Sequence, residues 1–120
     1  FNQILAENKG ANFKNFEFLF YSNYYYLRQD ANIDDFALKL NVTKKELSDF
    51  LKHEIDDNFT DLINKNRIAY IKELLKAKKY ESFTIESLSE MSGFNNRRTM
   101  YYAFQKYNNM TPTEYIESLA

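Results

Sequence analysis

Hydrophobic positions recur at helical spacing along most of the chain. Ile33, Phe36, Ala37 and Leu40 fall three and four residues apart, with Asn32 before them as an N-cap and Asp34 and Asp35 in the first turn. A short helix at about 33–41 is predicted. Asn41-Val42-Thr43 breaks the period, and Thr43 followed by Glu46 is a capping-box signature that opens a second helix with Leu47, Phe50 and Leu51 inward. The result is helix, tight turn, helix. Phe59, Leu62, Ile63, Asn66, Arg67, Tyr70, Ile71, Leu74 and Leu75 then hold one stripe, followed by Lys76, Lys78 and Lys79 where a helix C-terminus favours cations. This predicts one long helix, about 58–77.

The short-helix pattern then recurs. Thr84 caps a segment with Ile85, Leu88 and Met91 inward, and Ser92-Gly93-Phe94 supplies a turn in which Gly93 can take a positive φ. Asn96 caps the next helix, where Met100, Ala103, Phe104 and Tyr107 share one face and Arg97, Arg98, Tyr101, Tyr102 and Gln105 point elsewhere. Thr111-Pro112, with Glu114 completing a capping box, opens a last helix near 112–119. Upstream, Phe13, Phe16, Phe20, Tyr24 and Leu27 predict a first helix near 13–28, and residues 1–12 carry no firm signal. The expected fold is all-α, with about seven helices. Its parts are an N-terminal arm and first helix (1–30), a first helix-turn-helix (31–57), a connecting helix (58–78) and a second helix-turn-helix with a bracing helix (79–120).

Composition sharpens this picture. With 44% hydrophobic and 28% charged residues but only two Gly and one Pro among 120 residues, a turn-rich β-sandwich is excluded and a single-domain core is affordable. The aromatic share of 18% is all Phe and Tyr, which packs as large flat side chains between short helices. The Phe13–Tyr26 cluster is expected to serve mainly as core. Zero Cys and one His exclude disulfides, thiolate metal sites and a histidine cluster, which is compatible with a cytoplasmic protein without cofactor or metal. The run Phe18–Leu27 is interrupted by Ser22 and Asn23 and is too short to span a bilayer. A start at Phe1 instead of Met suggests a piece of a longer protein with a sensor or dimerisation module upstream.

Charge locates the chemistry. The net charge of −1 argues against indiscriminate coating of nucleic acid, so polyanion binding must come from local charge. Ser92–Tyr107 supplies it, holding Arg97, Arg98 and Lys106 without one Asp or Glu. Arg offers two donors to guanine O6 and N7 and Gln pairs with adenine, so Arg97, Arg98 and Gln105 suit base reading. Tyr101 suits either a phosphate contact or half-buried packing. In the first unit Lys44, Lys45 and Lys52 are offset by Glu46, Asp49 and Glu54. Arg67, on an otherwise apolar stripe, is expected to be structural, holding carbonyls or an acid such as Asp61. His53 beside Glu54 has no nucleophile or phosphate-cradling loop to work with, and no catalytic constellation is present.

Two helix-turn-helix units joined by a long helix resemble the DNA-binding domains of AraC/XylS-family transcription regulators. The resemblance covers roughly residues 30–116 and rests on Ala37, Leu47, Arg67-Ile68, Leu74-Leu75, Gly93-Phe94, Phe104, Lys106, Thr111-Pro112 and Tyr115. Asp56 and Asn109 stand where the family commonly has Gly, although both tolerate the left-handed conformation. Tyr102 and Ile116 stand where it commonly has Arg. The resemblance implies a bacterial regulator that binds double-stranded DNA with both recognition helices in the major groove, roughly 34 Å apart, and works with RNA polymerase. It places Arg97, Arg98 and Tyr102 toward bases. Asn95, Asn96, Thr99 and Lys106 then face phosphates. In the first unit it directs Lys45, Ser48 and Asp49 to the groove, flanked by Lys44 and Lys52, with a smaller share of the affinity. The acidic balance, the neutralised first unit and Tyr102 motivate one alternative, a protein-interaction module of the same fold that has lost DNA reading.

Asp49 sharpens the test of the first unit. Asp49→Ala is expected to maintain or raise non-specific duplex affinity in a titration at low salt, because it removes a repulsive charge. A clear loss would mean that Asp49 accepts a hydrogen bond from a base instead.

Overall fold

The computed structural model describes residues 13–120, all helical, turn or irregular, with no strand among them. Helix α1 spans Ile33–Leu40, α2 Lys44–Phe50, α3 Phe59–Lys76, α4 Ile85–Met91, α5 Arg97–Asn108 and α6 Pro112–Ser118. The chain divides into two compact units, Phe1–Asp61 and Leu62–Ala120, the division falling inside α3. Of the arm expected over 1–30, residues 1–12 lie outside the described residues. Among the described residues no helix is long and apolar enough to cross a membrane.

In the first unit, α1 opens on Asn32, whose side chain accepts from the Asp35 amide. It closes on Asn41 in the left-handed region (φ 59°), with the Val42 amide bonded to the Ala37 carbonyl and the Asn41 amide to that of Leu38. That pair of bonds is a Schellman motif with Asn in the place Gly usually takes. Thr43 and Glu46 form the reciprocal capping box that starts α2. The helix does not stop at Phe50, because one wider π-helical turn, Leu51–Ile55, carries it on to Asp56 at φ 58°. The carboxylate-bearing Asp56 thus takes the left-handed position expected of it.

Phe36 is the centre of this unit. Its fully buried ring lies 5.6 Å from Phe16, 5.7 Å from Phe20, 4.5 Å from Tyr25 and 5.8 Å from Phe59. These are the tilted and edge-on contacts that aromatic rings prefer.

The single helix expected near 13–28 is corrected by the structure. Helical residues Phe16 and Glu17 run into a π-helical turn at Phe18–Ser22, and a 3-10 turn at Tyr25–Leu27 follows, separated from it by Tyr24 in the left-handed region at φ 55°. Tyr24, expected inward, is 52% exposed, whereas the adjacent Tyr25 and Tyr26 are both buried. A straight helix turns 100° per residue and leaves two bulky neighbours with different surroundings. The break lets both rings turn into the core, and that packing outweighs the local helical period.

Tyr25 also braces the start of α1. Its hydroxyl lies 2.9 Å from the Asp35 carboxylate and 3.0 Å from the Asn32 carbonyl, and it accepts from the Asn32 amide at 3.1 Å. Burial, reinforced by Asp35, pushes its pKa up to about 12.

The second unit repeats the plan. Thr84 caps α4, Gly93 at φ 93° closes it with a second Schellman motif (Phe94 amide to Ser89 carbonyl, Gly93 amide to Glu90 carbonyl), and Asn96 starts α5. Thr111, Glu114 and Pro112 form the capping box and N1 proline of α6. Ile68, Ile71, Leu75, Leu88, Phe94, Met100, Ala103, Phe104 and Tyr115 make its core. Met91, expected inward, is 41% exposed, and Ser89 and Ser92 take the buried face instead. Their hydroxyls donate to the Ile85 and Leu88 carbonyls at 2.8 Å, so two small residues are buried with their hydrogen bonds satisfied where Met would need more room.

Tyr25→Phe keeps the ring and removes the brace, and should cost about 1–2 kcal/mol in denaturant unfolding near neutral pH. A folded-state pKa raised from 10.0 to about 12 means that the native state holds this proton more tightly than the unfolded chain. The contribution of Tyr25 is therefore intact below about pH 10 and lost as pH rises toward 12. The gap between wild type and variant should close over that range, and a constant gap would contradict the assignment.

Candidate nucleic-acid interface

The surface of α5 follows from what the helix buries. Met100, Ala103 and Phe104 are buried and Tyr107 half-buried, which fixes the helix about its own axis. Phe104 meets Tyr115 edge-on at 5.6 Å, and Phe94 is buried in the same cluster. Arg97, Arg98, Thr99, Tyr102, Gln105 and Lys106 are left exposed, with Asn95 and Asn96 exposed at the start of the helix. Arg97, Arg98, Tyr101, Tyr102 and Gln105 line one open concavity. The structure thus brings together the three residues chosen for base chemistry, and Tyr102 with them.

Each arginine of α5 is paired with the tyrosine one turn on. The Arg97 guanidinium carbon sits 4.9 Å from the Tyr101 ring centre and its Nη2 donates to the Tyr101 hydroxyl at 3.2 Å. Arg98 lies 5.9 Å over Tyr102, a ring that is 67% exposed. These are cation–π distances. Asn96 is engaged as the cap, its side-chain oxygen accepting from the Thr99 amide at 2.8 Å and the Thr99 hydroxyl at 3.0 Å. Both residues foreseen as phosphate contacts therefore also shape the start of the helix.

Lys65 was not foreseen. It lies on the exposed side of α3, far from α5 in sequence, yet its Nζ is 6.0 Å from the Tyr107 ring, and the Lys106 Nζ is 5.3 Å from the same ring. No spacing rule connects positions 65 and 107, so only the packing of the second unit reveals this contact. Arg67 is half-buried with its guanidinium 5.6 Å over Phe94, a contact that supports its structural reading with a partner the sequence did not suggest.

In the first unit the charges that cancel along the sequence are sorted by the helix. Glu46, Asp49, His53 and Glu54 line a hollow with Phe13 and Phe50, whose rings stack at 4.1 Å. Glu46 is already engaged, accepting from the Thr43 amide in the capping box. Lys44, Lys45, Ser48 and Lys52 are exposed outside that hollow. Positions 45, 48 and 52 are spaced three and four apart and so form one stripe, beside the acidic face.

The fold is that of a paired helix-turn-helix module. A family described as helix-turn-helix domain matches residues 36–118, and the chain belongs to this family of AraC-type domains. Two solved structures are similar to it. The C-terminal domain of AraT, a response regulator from Geobacillus stearothermophilus, shares 26% identity with a TM-score of 0.72 over 78% of this chain and 74% of that one. A protein of unknown function from Listeria innocua shares the fold at 22% identity and a TM-score of 0.71, over 83% and 91% of the two chains. No curated protein matches the chain. The chain is thus a DNA-binding domain of the kind found in transcription regulators, a family that is not enzymatic.

Asn96→Ala removes the cap of α5 and should lower unfolding stability by about 1 kcal/mol, whereas Asn96→Asp keeps an accepting oxygen and should restore it. Thermal melts of the three proteins check this, and equal losses in both variants would contradict the capping role.

Proposed function

We propose that the chain is a sequence-specific binder of double-stranded DNA that inserts α5 into the major groove. The observation that carries the proposal is the exposed concavity of Arg97, Arg98, Tyr101, Tyr102 and Gln105 on a segment, Ser92–Tyr107, without an acidic residue, in a chain of net charge −1. Arg97 and Arg98 are assigned to guanine edges, Gln105 to adenine, and Tyr102 to a thymine methyl or sugar. Asn95, Asn96, Thr99 and Lys106 are assigned to phosphates, joined by Lys65. Lys44, Lys45, Ser48 and Lys52 give the first unit a weaker, mostly backbone contact, and Asp49, which lines the acidic hollow, is its least favourable member. By analogy with AraT, whose matching part is the C-terminal domain of a response regulator, a signal-receiving or dimerisation module on the same chain is proposed. Action in the bacterial cytoplasm alongside RNA polymerase completes the proposal.

The acidic, aromatic hollow of the first unit favours the second reading, a protein-interaction module of the same fold that has lost sequence-specific DNA binding. Salt dependence separates the two. A DNA binder holds duplex with an affinity whose logarithm falls linearly with log salt as counterions are released, and a module that has lost DNA reading selects no duplex at low salt.

Selection from random duplexes should yield a defined site. On that site Arg97→Ala and Arg98→Ala should each cost about 1–3 kcal/mol and relax one base position. Unchanged affinity in both would overturn the assignment of α5. Lys65→Ala should weaken all duplexes alike and lower the salt slope by about one.

A further inference from the structure

Arg97 and Arg98 are chemically identical but differently held. Tyr101 is half-buried, so its ring is fixed by the core of the second unit against which it packs. On that fixed ring Arg97 is held twice, by the face at 4.9 Å and by the Nη2–hydroxyl hydrogen bond at 3.2 Å. Arg98 rests at 5.9 Å on a tyrosine that is itself 67% exposed. A free arginine samples many rotamers and loses them when it binds. One already held over a rigid ring loses less.

We propose that Tyr101 is a positioning residue that pre-orients Arg97 for base recognition, making the base pair read by Arg97 more stringently specified than the one read by Arg98. The inference rests on the reading of α5 as the base-reading helix. Tyr101 is thereby neither a phosphate contact nor inert packing. Its hydroxyl takes up one of the five guanidinium N–H groups. Four remain, and a bidentate contact to guanine O6 and N7 needs two. Ring and hydroxyl can therefore hold the side chain without competing with the base for donors. Gln105, in the same concavity and one turn beyond Tyr101, is left clear of this pair to meet the next base.

The test uses the chain with Tyr101→Leu, which keeps apolar bulk, and Tyr101→Phe, which keeps the ring. In the free protein, NMR of the guanidinium groups should show slower rotation for Arg97 than for Arg98. The difference should be lost in Tyr101→Leu and largely kept in Tyr101→Phe. On the selected duplex, Tyr101→Leu should relax discrimination about threefold to tenfold, and only at the base pair that Arg97→Ala relaxes. Tyr101→Phe should recover most of it, the salt slope should not change, and Arg97→Ala should cost less in the Tyr101→Leu background than alone.

A uniform loss across base positions, or a salt slope lower by about one, would make Tyr101 a phosphate contact and overturn the proposal. A lower melting temperature with wild-type discrimination would reduce it to packing. A wild-type chain that selects no duplex would overturn the proposed function itself. One that selects a site which Tyr101→Leu reads equally well would overturn only the pairing.

Discussion

Phe104 sits where the second unit has least freedom. The ring is fully buried, set edge-on to Tyr115, in a core that also holds Phe94, Met100, Leu88 and Ile71. A side chain of that size in a closely packed interior permits one orientation of the helix that bears it. The exposed face of α5 is the complement of that constraint, and so are the positions of Arg97, Arg98 and Gln105. The caps act in the same direction, since Gly93 ends α4 in two backbone bonds and Asn96 starts α5 three residues later. Between them they leave almost no slack in the turn.

The two units solve the same problem with different materials. The second closes its turn with Gly93 and packs a mixed aliphatic and aromatic core. The first closes an equivalent turn with Asn41 and gathers four rings around Phe36, with the Tyr25 hydroxyl tying the preceding turn to the Asn32 cap. Their surfaces diverge further. Cations face outward from α5 with no acid among them, whereas α2 carries a lysine stripe next to an acidic hollow. Both units share the family's fold, and only the second keeps acidic residues out of the helix that follows its turn.

Local charge thus matters more here than the total. A chain of net charge −1 is repelled as a whole by a phosphate backbone, yet counterions screen that repulsion beyond about 10 Å at ordinary salt. Within that distance the groups that count are those on the contacting face. The contact of Arg97 with the Tyr101 ring and hydroxyl adds a second effect, because the guanidinium keeps its charge and most of its donors while its rotamers are restricted.

Most of the helical plan was legible because it rests on local rules. The caps at Asn32, Thr43, Thr84, Asn96 and Thr111, the left-handed Asp56 and Asn109, and the apolar stripes of α1, α3 and α5 depend on residues within one or two turns of each other. The break at Tyr24 and the outward turn of Met91 were not legible, because long-range burial of Tyr25, Tyr26, Ser89 and Ser92 decides them. The same divide runs through the site. Arg97, Arg98 and Gln105 could be chosen from helical spacing and the lack of acids around them. Tertiary structure alone decided that Lys65 reaches the Tyr107 ring, that the charges around α2 are sorted to separate faces, and that Tyr101 holds Arg97, because packing and side-chain direction set these contacts and residue order does not.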